Sequence, residues 1–579
     1  MFIIILVLFF TLRIPALSHD IYGDEYVFYY YAHNGVDNAK NFGFANELVF
    51  YPSHYFPIVF YQLAAFLSPS VISARIVSLI FGLAILLLGM KLLDKFFNRK
   101  AAIIFGILYS VIPWAVFTSV ILDNDGTVIC LAFIAMMYFT LKLIEKEFRD
   151  NKYFIIVGIL SGFLVYLKPL PWIFVPVCNV LVFGYFMLYI KRMNFKKFLY
   201  NMIFFAIGVI IGIAILALIL YIALGWWGVY GVVIEPIMLI GVDPHGISGA
   251  GFQLPFLLEI ATSFIFISPI VLLFLLNIFS KKKDIKDKYI IFMVLFHILE
   301  IFGMLYMYNE ASLSRYASFL MLLALLSISI PLSKIFETRK ILFAAISGLA
   351  LSIVYFLVDL LPHRILDFYP KSAWISNVLK FKWDFLVPIN GASGPMGFYV
   401  PFFNIAIPFI ICGLLSVIMI VLMFRSYKNK RRDTRKKNQK NFDGTISSVA
   451  LAILVISLSY AFYFSIQYSY SPTSPSINNI NVKIRTECAS DYYYVFRNSA
   501  GISVQNNQSH FIRVKGINFE SENDAAAVQS IVDSKEHVCV IDFPQISKSS
   551  ILWDSLTTKC VLHKEYYDHG LPLGYWFDC

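Results

Sequence analysis

The feature that most constrains this chain is a succession of apolar runs, continuing from Met1 to about Gln467 and punctuated by short basic loops. A helix needs about 20 apolar residues to cross the hydrocarbon core of a bilayer. Runs that meet or approach this length occupy 2–17, 70–91, 101–119, 126–144, 153–167, 172–190, 202–223, 262–280, 289–308, 316–333, 340–361, 402–424 and 447–467. They predict a membrane domain of about thirteen helices. Charged residues make up only 14% of the chain and hydrophobic ones 59%, whereas soluble domains carry roughly 25% charged residues. The composition changes sharply after Gln467. The expected fold class is therefore an all-α polytopic membrane domain over 1–467, followed by a small soluble α/β domain over 468–579. Met1–Leu17 lacks a basic leading segment and a dozen further runs follow it, so it reads as a short first span rather than a cleaved signal peptide.

A net charge of +11 would suit a nucleic-acid partner, but its distribution argues against one. Basic residues gather in alternate loops: Lys91 to Lys100, Lys142 to Lys152, Lys191 to Lys197, Lys281 to Lys288, Lys334 to Lys340, and the run 425–440. The intervening loops are nearly free of Lys and Arg until residue 364. Cytoplasmic loops carry the positive excess, so the expected partner is the lipid bilayer of a cell membrane, with the N-terminus cytoplasmic. An odd number of spans then places the C-terminal domain outside. Its four cysteines, Cys488, Cys539, Cys560 and Cys579, form an even set suited to two disulfides in an oxidising compartment. Four cysteines allow three pairings, of which Cys560–Cys579 with Cys488–Cys539 is the one expected here. Asn507-Gln-Ser509 is a glycosylation sequon in the same region. Val482–Thr486, Tyr492–Phe496 and 537–544 read as strands, and Ser521–Asp533 as an amphipathic helix.

Ionisable groups close to a bilayer are costly and tend to be functional or paired. The loops assigned to the outer face hold few of them. The first contains Asp24-Glu25 and, at its end, His54 three residues before Pro57. The second is a short turn with Asp123 and Asp125. Lys168 and Arg315 stand at outer span ends. Each has a plain structural reading: Asp24-Glu25 as a helix cap, Asp123-Asn-Asp-Gly as a tight turn, Lys168 as a snorkelling cation, Arg315 as an anchor of its span, and His54 as a structural imidazole. Together, two acidic sites at one membrane level suit a general base and an acceptor- or metal-positioning carboxylate, and the cations suit a departing anion. Two later outer loops, 226–259 with Glu235, Asp243 and His245, and 362–402 with its Gly-, Pro- and aromatic-rich 380–399, read as connections that could also contact a substrate.

In order, these elements resemble the GT-C glycosyltransferases, and in particular the protein O-mannosyltransferase and lipid A aminoarabinose transferase group. The elements are Asp24-Glu25, His54 to Pro57, Arg75, the turn after Pro113-Trp114 that carries Asp123 and Asp125, the Gly158-to-Lys168 span end, and Arg315-Tyr316. They cover roughly residues 1–335. The resemblance implies an inverting transfer of a sugar from a dolichyl- or undecaprenyl-phosphate donor to a protein, lipid or glycan acceptor on the outer face. It implies Asp24 as the base, with Glu25 beside it, and Lys168 and Arg315 on the carrier phosphate. Asp123 or Asp125, with His54, would position the acceptor or a divalent cation, Mg or Mn; some relatives bind such an ion and others do not. The sequence departs from the group in spreading His54 and Pro57 apart and in offering two aspartates in the turn. An oligosaccharyltransferase-like transfer of a whole glycan is the alternative within the class, but Trp226-Trp227 is followed by Gly-Val-Tyr instead of that family's Asp-Tyr-Gly. A lipid-linked glycan flippase would be expected to show internal repeats and midplane charges, which this sequence lacks. A non-catalytic envelope scaffold is the remaining alternative.

Overall fold

The computed structural model describes residues 1–19, 25, 28, 55–68, 70–123, 125–167, 174–229, 289, 291–293, 295, 318–335, 338–363, 376–388, 399–430, 436–470, 487, 493–495, 511–513, 537–541, 557–568 and 571–578. The helices in chain order are α1 (Phe2–Thr11), α2 (Tyr55–Leu67), α3 (Val71–Phe96), α4 (Arg99–Val111), α5 (Pro113–Thr118), α6 (Cys130–Glu145), α7 (Asn151–Leu167), α8 (Phe174–Gly184), α9 (Phe195–Leu224), α10 (Ser318–Ile335), α11 (Thr338–Asp359), α12 (Phe402–Lys430) and α13 (Lys436–Tyr470). Among the described residues, six helices are long and apolar enough to cross a membrane, in 71–96, 126–145, 195–222, 342–359, 402–422 and 451–470. The runs at 2–18, 151–165, 175–190 and 321–330 form shorter apolar helices. The expected span 262–280, and nearly all of 289–308, lie outside the described residues.

Local chemistry sets several of the boundaries. The Ser70 hydroxyl accepts the Ser73 amide at 3.2 Å and opens α3, and the Asn98 side chain accepts the Ala101 amide at 2.8 Å and opens α4. The expected single span at 101–119 is instead two helices. Pro113 cannot donate a backbone hydrogen bond and excludes a helical residue before it, so Ile112 is extended at ψ 128° and α5 starts anew at Pro113. The last helix begins at Lys436, well before the expected 447, because the basic stretch that precedes the apolar run is helical too.

Around α3, the helices α2, α4 and α6 pack directly, and α1 lies against α4. α13 leans on α11 and α12 on one side and on α5 on the other. It is tied to the start of the chain by side chains: Ser469 Oγ donates to Leu12 O at 2.5 Å, Tyr470 Oη to Thr11 O at 2.8 Å, and Ser465 Oγ to Val111 O at 2.5 Å. The helices α7 and α9 approach backbone to backbone. A Cβ on Gly158 would stand 2.2 Å from Phe205 O, and one on Gly208 2.2 Å from Ile155 O. With Gly162 and Gly212 one turn further on, both helices present small residues four apart, which lets the two backbones touch.

Beyond α13, β3 (Tyr493–Val495), β4 (Phe511–Arg513), β5 (His537–Ile541), β6 (Val561–Asp568) and β7 (Leu571–Asp578) make one sheet in the order β4-β3-β5-β7-β6; a separate pair, β1 (Leu386–Pro388) and β2 (Tyr399–Pro401), sits before α12. β3 runs parallel to β4 and β5, while β7 is antiparallel to β5 and β6. The strands expected at 492–496 and 537–544 correspond to β3 and β5. Those expected at 482–486, the helix at 521–533, Cys488, Cys579 and Asn507 lie outside the described residues, as does the side chain of Cys539. Cys560 is disulfide-bonded. Val561 pairs with Asp578 in the sheet, and these are the sequence neighbours of Cys560 and Cys579.

The α7–α9 contact yields a clear expectation. Replacing Gly158 or Gly208 with Leu forces two backbones apart, and overpacking of this kind costs about 1–3 kcal/mol. The thermal midpoint in detergent should fall in both variants. Gly413→Leu, where nothing lies within 4 Å of the added carbon, should leave it unchanged; equal midpoints for all three would contradict the packing described.

Candidate active site at the start of α3

Arg75 lies in the first turns of α3 and has no exposed surface. A guanidinium taken out of water must have its donors satisfied. Here Nε donates to Glu25 Oε1 at 2.8 Å and Nη2 to Glu25 Oε2 at 2.7 Å, a bidentate pair. Nη1 donates to Leu17 O at 3.1 Å and also to His19 O. Glu25 is itself 3% exposed, and its Oε1 accepts a third hydrogen bond, from the Leu122 amide at 2.9 Å. One ion pair thus joins the end of the first apolar segment, Glu25, the start of α3 and the turn after α5.

The turn is fixed from other directions as well. Tyr61 of α2 donates its hydroxyl to Asp123 O at 3.2 Å and is hydrogen-bonded to Ser78 of α3 at 3.0 Å. The Thr127 hydroxyl also donates to Asp123 O. Phe28 closes over Tyr61 edge-on, with ring centroids 6.1 Å apart. After the turn, Asp125–Ile129 forms one π-helical turn before α6, a geometry common at functional sites. Both flanking contacts require glycine: a Cβ on Gly126 would be 2.2 Å from Thr118 Cβ, and one on Gly82 2.4 Å from Ser119 Cβ. Asp123 is buried at 3% exposure. His19 packs edge-on against Tyr468 of α13. Burial pushes its imidazole down to about 4, and the nearby Arg75 guanidinium adds to the shift, so His19 is neutral at pH 7.

Of the residues singled out in the sequence, the structure brings Glu25, Arg75 and Asp123 together. Asp24, His54, Lys168 and Arg315 lie outside the described residues, as does the side chain of Asp125. Among the described residues no three His, Cys, Asp or Glu side chains form a metal-binding group. Glu25 fits such a role poorly, because Arg75 and the Leu122 amide already engage both its oxygens. Two participants escape a reading of motifs: Tyr61, one aromatic among many, and Arg13. Arg13 did carry a signal, as the lone charge within the first apolar run.

A family model described as dolichyl-phosphate-mannose-protein mannosyltransferase matches residues 55–221, from α2 through most of α9. The structure of ArnT from Cupriavidus metallidurans with undecaprenyl phosphate bound superposes at a TM-score of 0.55 and 13% identity, covering 99% of this chain and 96% of that one. The chain has the GT-C fold. The same enzyme in its apo state gives a TM-score of 0.51 at 13% identity, over 99% of this chain and 96% of that one. An oligosaccharyltransferase from Archaeoglobus fulgidus gives 0.49 at 11% identity, over 93% and 68%. No curated protein matches by sequence. Within this GT-C fold, the matched segment contains Tyr61, Arg75 and Asp123, while Asp24-Glu25 precedes it.

The Glu25–Arg75 pair makes a specific thermodynamic demand. Breaking a buried pair by removing one partner costs about 3–5 kcal/mol, whereas replacing both with apolar groups is far milder. Arg75→Met and Glu25→Leu should each lower the thermal midpoint strongly, and the double variant should recover part of the loss. Additive losses in the double variant would show that the two side chains do not act as a pair.

Proposed function

We propose that the chain is an integral membrane glycosyltransferase that moves a sugar from a polyprenyl-phosphate donor, dolichyl or undecaprenyl, to a protein, lipid or glycan acceptor at the outer membrane face. The observation that carries this reading is the hydrogen bond from the Leu122 amide to Glu25, which brings Glu25 and the Asp123 turn to one place. The match of 55–221 to a mannosyltransferase family and the overall likeness to ArnT support it. The ArnT structure contains undecaprenyl phosphate, the class of carrier proposed here.

The reaction assigns distinct work to neighbouring carboxylates. Glu25 has both oxygens engaged and serves to fix the segment. Asp24, the residue before it, is the general base. It takes the proton from the acceptor hydroxyl as that oxygen attacks the anomeric carbon. The bond from that carbon to the phosphate oxygen breaks, the electron pair leaves with the phosphate, and the configuration inverts. Lys168 and Arg315 bind the carrier phosphate and offset its growing negative charge. Asp123 or Asp125, with His54, orients the acceptor. Were a divalent cation bound by Asp123 or Asp125 with His54, it would supply further positive charge to the phosphate. The sheet β3–β7 follows as an accessory domain on the outer face, with the N-terminus in the cytoplasm.

Purified protein reconstituted with radiolabelled polyprenyl-phosphate monosaccharides and a membrane extract as acceptor should transfer sugar. Asp24→Asn should reduce turnover by at least about a hundredfold, in line with the ~10²–10⁴ that a positioned base contributes. Equal turnover in the two proteins would reject Asp24 as the base, and turnover only with an oligosaccharide-loaded carrier would replace the monosaccharide donor by a glycan block.

A further inference from the structure

We propose that Arg13 is a positioning residue for the acidic turn, acting through the backbone of residues 115–119 on Asp123. The kinetic part of this inference rests on the transfer reaction proposed above. Arg13 follows α1 and is completely buried. Its guanidinium donates through Nε to Ser119 Oγ at 2.6 Å. Nη1 donates to Phe9 O at 3.1 Å and Ser110 O at 3.0 Å, and Nη2 to Tyr109 O and Ala115 O, both at 3.0 Å. The Phe9 ring lies 3.9 Å from the guanidinium carbon. No carboxylate is paired with it among the described residues.

Those acceptors explain the placement. Ile112 and Pro113 interrupt the helix between α4 and α5, so carbonyls near the break lose their partners along the helix. A planar fork of five donors can satisfy carbonyls from both sides of such a break at once, which a lysine cannot do. Arg13 therefore fixes the angle at which α5 leaves α4. That angle sets where Ser119 and the following four residues lie. Arg75 fixes the far end of the same stretch, through Glu25 and the Leu122 amide. The segment 115–123 is thus clamped at both ends by buried arginines from different parts of the chain. Ser119 also sits against Gly82, leaving no room for the turn to shift towards α3. Catalytic geometry tolerates little displacement, and a misplacement of about 1 Å can cost on the order of a hundredfold in rate.

The test compares wild type, Arg13→Lys and Ser119→Ala, each alone and combined with Asp123→Asn. Ser119→Ala removes the Nε acceptor without touching the buried charge, so the test survives if the lysine variant folds poorly. Amide hydrogen exchange over 115–123 should speed up about tenfold or more in Arg13→Lys and less in Ser119→Ala, while α7 and α9 stay protected. In the transfer assay, Arg13→Lys should lower kcat about tenfold with KM within about twofold, and cost under about twofold in the Asp123→Asn background. Unchanged exchange in both variants overturns the proposal. So does faster exchange with unchanged kcat, or an equal loss in both backgrounds. If wild type transfers sugar from no polyprenyl donor, the functional reading fails on its own, and the exchange data alone decide whether Arg13 fixes the turn.

Discussion

The structure depends on a carboxylate and a guanidinium that have both left water. Burying two charges is costly, and the cost is offset only when geometry is good and the remaining donors and acceptors are satisfied. Glu25 and Arg75 meet those conditions with a two-point contact, two backbone carbonyls on the arginine and one backbone amide on the glutamate. Leu17 and His19 close the first apolar segment, Glu25 follows it, and Leu122 belongs to the turn after α5. The pair can therefore form only when the end of the first apolar segment, α3 and the turn after α5 have all arrived, and it holds Glu25 against that turn.

The bundle around this pair uses two kinds of contact. Where helices must meet without polar groups, as at α7 and α9, glycine brings the backbones together and dispersion does the rest. Where the chain breaks, buried side chains take over the hydrogen bonds the helix has given up. Arg13 does so at the Pro113 break, and Tyr61 and Thr127 do so at Asp123. The last helix joins in by donating Ser465 and Ser469 hydroxyls to carbonyls at Val111 and Leu12. Hydrogen bonds of this kind converge on residues 119–123, the support that the role proposed for this turn requires.

The six helices long enough to cross a membrane among the described residues were legible in the sequence because apolar length is a direct requirement of the bilayer, and the strands at 493–495 and 537–541 because short β-rich runs stand out after the last span. Asp24-Glu25 and the Asp123 turn stood out because charges are scarce near the membrane. What Glu25 does was not legible: a carboxylate beside Asp24 looks like a second acid until Arg75, fifty residues on, is seen to occupy it. The division of 101–119 was written in Pro113, yet composition treats the segment as one apolar run. Arg13 was visible as a lone charge in an apolar run, but its role was not, since its partners are four backbone carbonyls and the Ser119 hydroxyl, whose proximity leaves no trace in the sequence. The β6–β7 hairpin went unread because its strands lack a clean alternation of apolar and polar residues.

The proposal turns on the Glu25–Arg75 pair, which fixes Glu25, the neighbour of the proposed base Asp24, against the turn that carries Asp123. A cryo-EM structure of the protein with a polyprenyl phosphate tests it most directly. The account predicts the phosphate at the helix ends beside the Asp123 turn, facing Asp24 and within hydrogen-bonding reach of Lys168 or Arg315, with the ion pair intact. A carrier phosphate bound at the opposite ends of the helices, or Asp24 turned away from a correctly bound carrier, would contradict it.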